Sequence, residues 1–524
     1  MSPRKVDGVY GRAIAILDLL VMRWPESVGV REVSVAVELP RTTVNRILMG
    51  LADVSACRVV ANGRYRLGYR IMLAAWVASR QNRWFAAVRG QMTALAAATG
   101  ETALLALLDE RGYARLVDVA ESAKPLRYRV DPGTPVPITK GALGRAMVGA
   151  MTDTQFDMIS KTGRFDGGDA VVRRRRAEAR KSLSDNGFLV SIGERIPEAL
   201  GVSAPIVVDD RVLGSLAITI PRARESDIDF SALGAATSAT ARQLSRVNFR
   251  DDPGGADAVE SPFCEAPRSI VARLVATFDR VALRGQLAIS ELESIANCTP
   301  PTAHRLVEET VSNGLFTSDG KRLVAGPTSL AWTRALADLN PLQIQSGVLA
   351  ALAARFNETV ALGLLDATDR SLRISQTHAS TQPIHYSLTR GDRLPLHAGA
   401  AGKVVLANLP AHTWPREPKP LTGATITDFA ALAADLTEIR QAGVAVSFGE
   451  QISDAVGVAS PVFDGFRVVG SITVSTPQYR FDKQALPALT TAVREAAAVV
   501  TLVRTADDRP EVASEQQNPV GRLV

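Results

Sequence analysis

Three cysteines in 524 residues, Cys57, Cys264 and Cys298, are too few and too scattered for a disulfide framework, and none forms a CxxC pair of the zinc-ribbon kind. A reducing cytoplasm is the expected location of such a chain. No uninterrupted apolar run reaches about 18 residues, so no membrane span is expected. The opening, MSPRKVDGVYGRA, lacks the apolar centre and small-residue cleavage site of a secretory signal. Histidine is scarce: there are five, and none precedes His304. Catalytic signatures are missing as well, with no Gly-x-Ser-x-Gly elbow, His-Glu-x-x-His or Gly-x-Gly-x-x-Gly. Gly399-Ala400-Ala401-Gly402-Lys403 has the look of a phosphate loop, but the frame puts His397 and Val404 at positions that require Gly and Ser or Thr. His378, His385 and His397 could form an acid–base or metal set in the second half, yet the first half has no counterpart. An enzyme is therefore not expected, and neither is a metal or cofactor.

What is present suits several ordinary cores: the chain is 46% hydrophobic and 22% charged. Its length suggests about three or four domains. A net charge of +6 permits a polyanionic partner without requiring one.

The chain is written twice. Gly193-Glu194-Arg195-Ile196, Gly201-Val202-Ser203-Ala204-Pro205 and Gly214-Ser215-Leu216 recur as Gly449-Glu450-Gln451-Ile452, Gly457-Val458-Ala459-Ser460-Pro461 and Gly470-Ser471-Ile472, each 256 positions later. Glu101-Thr102 with Glu358-Thr359, the Gly141 and Gly399 segments, and Arg46 with Arg305 agree within a few residues. So long a period excludes a solenoid, whose repeats run to about 20–50 residues. It indicates a multi-domain unit fused to its own diverged copy. The stretch 248–267, rich in Pro, Gly and acidic residues, reads as a linker, and 505–524 as a loose polar tail.

At the front of each copy, apolar residues at helical spacing predict short helices. Ile16, Leu17 and Leu20 mark the first, and Val33, Ala36 and Val37 the second. Leu39-Pro40 ends the second, and Arg41-Thr42-Thr43 opens a third with hydroxyls suited to its free N–H groups. There Val44, Ile47, Leu48 and Leu51 form a core stripe, leaving Thr42, Asn45, Arg46 and Met49 opposite. Asn62-Gly63 between apolar runs then predicts a hairpin. The second copy repeats this with Thr302, His304 and Arg305 on the third helix and Asp319-Gly320 at the turn. Three helices and a hairpin make a winged helix-turn-helix, whose third helix fits a DNA major groove while the wing touches the backbone. Arg46 suits guanine or phosphate, Asn45 adenine, and Thr42 or Thr43 either. Arg64, Arg66, Lys321 and Arg322 belong to the wings, and Arg4 and Lys5 to a basic arm. Between 12 and 68 there are eight Lys/Arg against five Asp/Glu, but seven against six between 268 and 326. With Glu308 and Glu309 on the second helix, the first head is expected to bind phosphate more strongly. Glu308 could instead read a cytosine amino group. Arg173–Arg176 reads as a solvated helix start, with an auxiliary DNA contact as the alternative.

Behind each head, helices are expected at 69–78 and 91–98, and again at 329–338 and 345–355. Strands are expected at 104–108, 115–119, 126–130, 206–208 and 215–220. Their second-copy counterparts are 360–365, 371–376, 384–388, 462–463 and 471–475, and small-residue helices fall at 141–151 and 399–409. Antiparallel strands with helices at one side define an α+β domain. Alternation puts Ser471, Thr473 and Ser475 on one strand face, where they could line a pocket or simply meet water; the first copy has Ser215, Ala217 and Thr219.

The segments Leu39-Pro40-Arg41-Thr42-Thr43-Val44-Asn45-Arg46 and Thr302-Ala303-His304-Arg305-Leu306 resemble the recognition helix of IclR-type transcriptional regulators. The family's Ser/Thr-x-His-Arg pattern keeps its His at His304 but is Asn45 in the first copy. The resemblance implies a mixed α+β chain: two copies of a winged helix-turn-helix plus a GAF-like effector-binding domain. The expected limits are 8–70, 71–247, 268–326 and 327–504, with the linker between. It implies a one-component, sequence-specific regulator, repressor or activator, with a double-stranded DNA operator and a small organic or aromatic acid as partners. DNA contacts are expected from Arg41, Thr42, Thr43, Asn45, Arg46, Arg64 and Arg66, and from Thr302, His304, Arg305, Lys321 and Arg322. Effector contacts implied by the resemblance are Ala142, Leu143, Gly201, Ala217 and Thr219, then Ala400, Ala401, Gly457, Thr473 and Ser475. Gly201 and Gly457 stand where many members have Cys, and Ser191 and Ser447 where some have an acid. One chain would supply a pseudo-dimer, or two chains a homodimer with four heads. The alternative is a ligand-binding or assembly protein whose winged helices serve dimerisation.

Overall fold

The structure, a computed structural model, describes residues 8–162, 165, 169–246, 259–263 and 266–507. Arg4, Lys5, residues 248–258 of the expected linker and residues 508–524 of the expected tail lie outside it.

The first head comprises α1 (Val9–Met22), α2 (Val30–Ala36), α3 (Arg41–Asp53), and the hairpin β1 (Cys57–Val60) and β2 (Arg64–Leu67). Asn62 and Gly63 both take left-handed φ, near 61° and 65°, which is the turn chemistry their sequence promised. Val44, Ile47, Leu48 and Leu51 are buried as a stripe. The expected hydroxyl cap on α3 is not made: its N-cap is Pro40, with no side-chain bond to the free N–H groups. The helix starts there because Pro40 ends the preceding turn in an extended conformation.

Two helices, α4 (Tyr69–Gln81) and α5 (Arg83–Thr99), lead into the first sheet domain. That domain contains β3 (Thr102–Leu108), β4 (Ala114–Ala120), β5 (Pro135–Val136), α6 (Gly141–Ala150), α7 (Asp153–Ser160), α8 (Asp169–Asn186), β6 (Leu189–Ile192), β7 (Ala199–Val208), β8 (Arg211–Pro221) and α9 (Phe230–Arg246). The strands form one antiparallel sheet in the order β5-β4-β3-β8-β7-β6.

The second head repeats the first: α10 (Ile270–Arg284), β9 (Gln286–Ala288), α11 (Leu292–Ile295), α12 (Pro300–Ser312), β10 (Phe316–Ser318), β11 (Arg322–Ala325) and α13 (Pro327–Ala335). After α14 (Pro341–Phe356), the second sheet domain runs through β12 (Thr359–Asp366), β13 (Ser371–His378), β14 (Arg393–Leu394), α15 (Ala400–Asn408), α16 (Phe429–Ala442), β15 (Ala445–Phe448), β16 (Ala455–Asp464), β17 (Arg467–Pro477) and α17 (Leu486–Asp507). Its sheet order, β14-β13-β12-β17-β16-β15, is that of the first. Even the register irregularities recur, at Leu105/Ala106 and Ile206/Val207 in one sheet and Leu362/Gly363 and Val462/Phe463 in the other. Two copies of one fold, bulges included, follow from two copies of one sequence.

Helices cover both faces of each sheet, not one side as expected. Leu105, Leu107 and Leu216 pack with α5 and α9, whereas Leu104, Ala106 and Ala217 pack with α6. The cause is visible in β3, TALLALL, which is apolar at odd and even positions alike and so must be buried on both faces. The expected strands at 126–130 and 384–388 do not form. Those segments are tied down instead by Thr102 Oγ1 donating to the Tyr128 carbonyl at 3.0 Å, and by Thr359 Oγ1 donating to that of Tyr386 at 2.7 Å. Helix α17 is long and apolar enough to cross a membrane by length and composition. It lies along β16, with Val493, Val499 and Val500 buried, as a core helix does.

The chain divides into two units. The first holds both heads and the first sheet domain, and the second begins at Leu339 and holds the second sheet domain. Within the first unit the heads pack on each other reciprocally: α1 meets α13 as α10 meets α4, and α1 meets α12 as α10 meets α3. Such exchange of equivalent elements is the pattern of an isologous dimer, built here inside one chain. Arg70 pairs with the buried Asp279 across this contact at 2.6 Å. Asp18 of α1 accepts from Trp332 Nε1 at 2.7 Å and from both terminal nitrogens of Arg115 on β4. Asp118 on the same strand receives Arg334 of α13 at 2.8 Å and Arg89 at 3.0 Å. Charged residues thus fasten both heads to one edge of the first sheet domain.

Candidate nucleic-acid interface and ligand pockets

On α3, the core stripe leaves Arg41, Thr42, Asn45, Arg46 and Met49 exposed, and Thr43 half-buried. Asn45 Nδ2 reaches only Met49 Sδ, at 3.6 Å, and among the described residues Arg46 has no hydrogen-bond or ion-pair partner. Its guanidinium is available to an incoming acceptor.

The corresponding face of α12 is occupied differently. His304 and Arg305 are exposed, and Thr302 shares a hydrogen bond with Thr299 at 3.1 Å. Arg305 Nε donates to Glu309 Oε1 at 2.7 Å. The other oxygen of Glu309 accepts from the Tyr10 N–H at 2.7 Å, at the start of α1 in the other head. The Glu309 side chain is only 12% exposed. The expectation that Glu309 would face phosphate is therefore corrected: it is turned inward to cap a helix, where a carboxylate is favoured. Glu308 remains exposed.

The wing residues split into braces and free cations. Arg64 pairs with Glu32 at 2.8 Å and bonds Ser27, so it fastens the wing to α2, and the same contact holds the Glu32 carboxyl below its ordinary range. Arg322 is likewise spent on Asp319, at 3.0 Å, and on Gln286. Asp319 accepts from the Lys321 and Arg322 N–H groups of its turn, which lowers its carboxyl to about 2. Lys321 is exposed. Arg66 stands opposite Arg58 in the β1–β2 ladder, and neither has a partner among the described residues. Burial and then the Arg66 charge hold the Arg58 guanidinium below its usual range. Arg58 was missed at the sequence level, because a two-residue Asn62-Gly63 loop would put Val59 opposite Arg66, whereas the loop here spans Ala61–Gly63 and shifts the register by one. Arg173–Arg176 lies within α8 rather than at its start; Arg175 bonds the Thr139 carbonyl at 3.1 Å and Arg176 pairs with Asp153 at 2.6 Å.

In each sheet domain a pocket opens between the sheet and the start of the small-residue helix. The first is lined by Ala142, Leu143, Gly201, Ala217 and Thr219 among others, and the second by Ala400, Ala401, Gly457, Thr473 and Ser475. The structure brings all ten expected residues together, five in each pocket. Ser191 and Ser447 join them. Ser471 does not: it is buried and donates to the Ala401 carbonyl at 3.0 Å. Gly201 has a steric reason to stay Gly, since a Cβ there would lie 2.8 Å from that of Ala142. At Gly457 the corresponding approach to Ala400 is 3.2 Å.

Each pocket also contains a carboxylate that sequence reasoning overlooked. Glu450 accepts from Gly399 N–H at 3.3 Å and from Lys403 Nζ at 2.6 Å; Lys403 is 1% exposed and lies 3.0 Å from Asp435 as well. In the first copy Glu194 accepts from Gly141 N–H at 3.1 Å and pairs with Arg145. Both members of each pair sat in the repeated Gly-Glu and Gly-Ala motifs, which was the signal available. The candidate histidine set does not assemble: His378 bonds Ser346, His385 the Gln382 carbonyl and His397 the Lys419 carbonyl.

Paired winged heads joined to pocketed sheet domains are an architecture of transcription regulators. The family description "Bacterial transcriptional regulator IclR C-terminal" matches residues 79–246 and 333–502, together well over half of the chain. The chain belongs to the IclR family of bacterial transcriptional regulators, which are not enzymes. It is 30% identical over 238 residues to the HTH-type transcriptional regulator BhcR of Paracoccus denitrificans, covering 43% of this chain and 83% of that one. It is 27% identical over 227 residues to the transcriptional repressor IclR of Escherichia coli, covering 42% and 83% respectively. A solved IclR-type regulator from Alicyclobacillus acidocaldarius aligns over 46% of this chain and 99% of its own, with 21% identity and a TM-score of 0.38. Relatives covered to 83% by about two-fifths of this chain are what a tandem duplication produces.

Proposed function

We propose that this regulator binds an operator in double-stranded DNA through its two recognition helices, and that a small-molecule effector held in the sheet-domain pockets modulates that binding. The observation that carries this reading is the exposed Arg46, unpaired among the described residues, on a helix whose opposite face is fully committed to the core. Arg41, Thr42, Asn45 and Arg66 accompany it in the first head, and His304, Arg305 and Lys321 in the second. On this reading the heads span 8–70 and 268–326, the effector domains 71–247 and 327–504, and the regulator works in the cytoplasm.

The effector fits a small organic or aromatic acid: hydroxyls of Ser475 and Thr219 offer donors, that of Thr473 joins them by exchanging its long 3.4 Å bond to the Val458 carbonyl, and apolar walls such as Leu143 and Val456 accept its body. An effector shifts operator binding only if its affinity differs between two head arrangements. Heads separated by about 34–36 Å, or a multiple, match successive turns of the major groove, so a small pivot changes the fit. The competing reading, a ligand-binding or assembly protein whose heads only dimerise, draws on the close packing of the heads. A mobility shift on DNA from upstream of the chain's own gene separates the two. Under the operator reading log affinity falls linearly with log salt; no shift even in dilute buffer removes it.

A further inference from the structure

We infer that the operator is not a palindrome: one chain reads two unlike half-sites, and the wing arginines Arg58 and Arg66 grip phosphate on the first half-site alone. This rests on the DNA-binding reading above. The heads already occupy each other's pairing surfaces within a single chain, through α1, α4, α10 and α13. A complete two-headed reader therefore needs no second copy, and its halves are free to diverge.

They have diverged at the points that would touch DNA. The recognition helices present Asn45, Arg46 and Met49 in one head and His304, Arg305 and Glu308 in the other, all exposed. An amide suits adenine, whereas a carboxylate accepts from cytosine, so the two faces ask for different bases. Arg46 is free among the described residues, but Arg305 is held by Glu309.

The wings differ more sharply. In the first, the ladder pairs Cys57 with Leu67 and then Arg58 with Arg66. In the second, the same two rungs pair Phe316 with Ala325 and then Thr317 with Val324. Two like charges directly opposite across a hairpin destabilise it. Buried Cys57, Tyr65 and Leu67 mark the other face as the one turned to the core, and no carboxylate among the described residues neutralises the pair. A phosphodiester supplies the missing charge and makes bidentate bonds to guanidinium. The second wing, with Thr317 and Val324, has no such clamp.

The test is selection from a random-sequence duplex library with the full-length chain, followed by native mass spectrometry and salt titration on the selected duplex. The expected result is two unlike half-sites about one helical turn or a multiple apart, one chain per duplex, and a salt slope that falls by about 0.9 in Arg58→Gln and again in Arg66→Gln. Circular dichroism on both variants checks that the heads remain folded. A palindromic consensus, two chains on a minimal duplex, or unchanged slopes in folded variants would overturn the inference while leaving DNA binding intact. No enrichment of any sequence would instead sink the DNA-binding reading, and this inference with it.

Discussion

Glu309, on the recognition helix of the second head, caps the first helix of the other head by accepting from the Tyr10 N–H at 2.7 Å. The same carboxylate holds Arg305 at 2.7 Å. One acidic side chain therefore links a DNA-facing cation to the contact between heads. Replacing it in Glu309→Gln weakens a charged cap worth about 1–2 kcal/mol. Amide exchange at Tyr10 and Gly11 should accelerate about 5–30-fold if opening is local. Unchanged protection would mean the cap contributes nothing.

That ion pair also ranks the two arginines. Arg46→Ala removes a guanidinium with no other partner among the described residues and should weaken operator binding by about 1–3 kcal/mol. Arg305→Ala should cost less, because Arg305 must first leave Glu309 to reach DNA. The first head was expected to dominate because of its charge; the structure supplies a different cause, sequestration of Arg305 rather than repulsion by Glu309. Equal losses in a fluorescence-anisotropy titration would contradict the ranking.

Asp279 gives the head contact a pH dependence. Its side chain is fully buried, one oxygen bonds Arg70 at 2.6 Å, and the other has no hydrogen-bond partner among the described residues. Burial pushes the carboxyl up to about 6, against the opposing pull of Arg70 and Arg280. A folded pKa raised above the unfolded one means the folded state holds the proton more tightly. The resulting stability is fully present below about pH 4 and is lost as pH rises through about 6. Glu32 and Asp319, with lowered pKa values, act in the opposite sense but below that window. Between pH 4.5 and 6.5 the denaturation midpoint of the head region should therefore fall with rising pH, and Asp279→Asn should flatten the slope. A slope equally steep in the variant would assign the effect elsewhere.

Much of this was legible in the sequence because the chain contains its own alignment. The family resemblance implied the pocket residues and the repeat carried them from one copy to the other, since Gly201 with Gly457 and Ala142 with Ala400 kept their order in two diverging copies. Turn chemistry located both wings, because Asn62-Gly63 and Asp319-Gly320 have few other uses. Contacts between distant residues left no periodic trace. Tyr10 and Glu309, or Asp18 and Trp332, are joined across some 300 residues, and no local pattern encodes that. The segments 126–130 and 384–388 alternate well enough for strands, yet their carbonyls are taken by side chains of β3 and β12. Likewise Arg64 reads as an exposed cation until its bond to Glu32 is seen.

At the second pocket, Thr473 lines the wall, while Ala217 holds the same place in the first. The Thr473 hydroxyl donates to the Val458 carbonyl at 3.4 Å, a long bond that an effector oxygen would replace. Thr473→Val keeps the shape and removes that hydroxyl, so effector response should weaken while effector-free operator binding stays as it was. The readout is a mobility shift with and without the effector, once a screen of small acids has supplied one. Loss of operator binding in both arms would make Thr473 structural.

The carboxylate–cation pairs behind the pockets should differ in strength although they occupy the same place in the repeat. Lys403 is 1% and Glu450 10% exposed, whereas Arg145 is 16% and Glu194 32% exposed. Removing one partner from a buried pair strands a charge without solvent, at about 3–5 kcal/mol, because desolvation is no longer offset. Lys403→Met should therefore destabilise the second sheet domain by about that amount, seen as faster amide exchange across β15, β16 and β17. The double variant Lys403→Met with Glu450→Gln should recover part of the loss, since only the carboxylate of Asp435, 30% exposed, is then left without its cation. Arg145→Met should cost nearer 1 kcal/mol, because water still reaches Glu194. Similar losses in the two copies would mean that burial does not set the strength of these pairs. A double variant as unstable as the single one would mean that Lys403 acts through its packing on α15 rather than its charge.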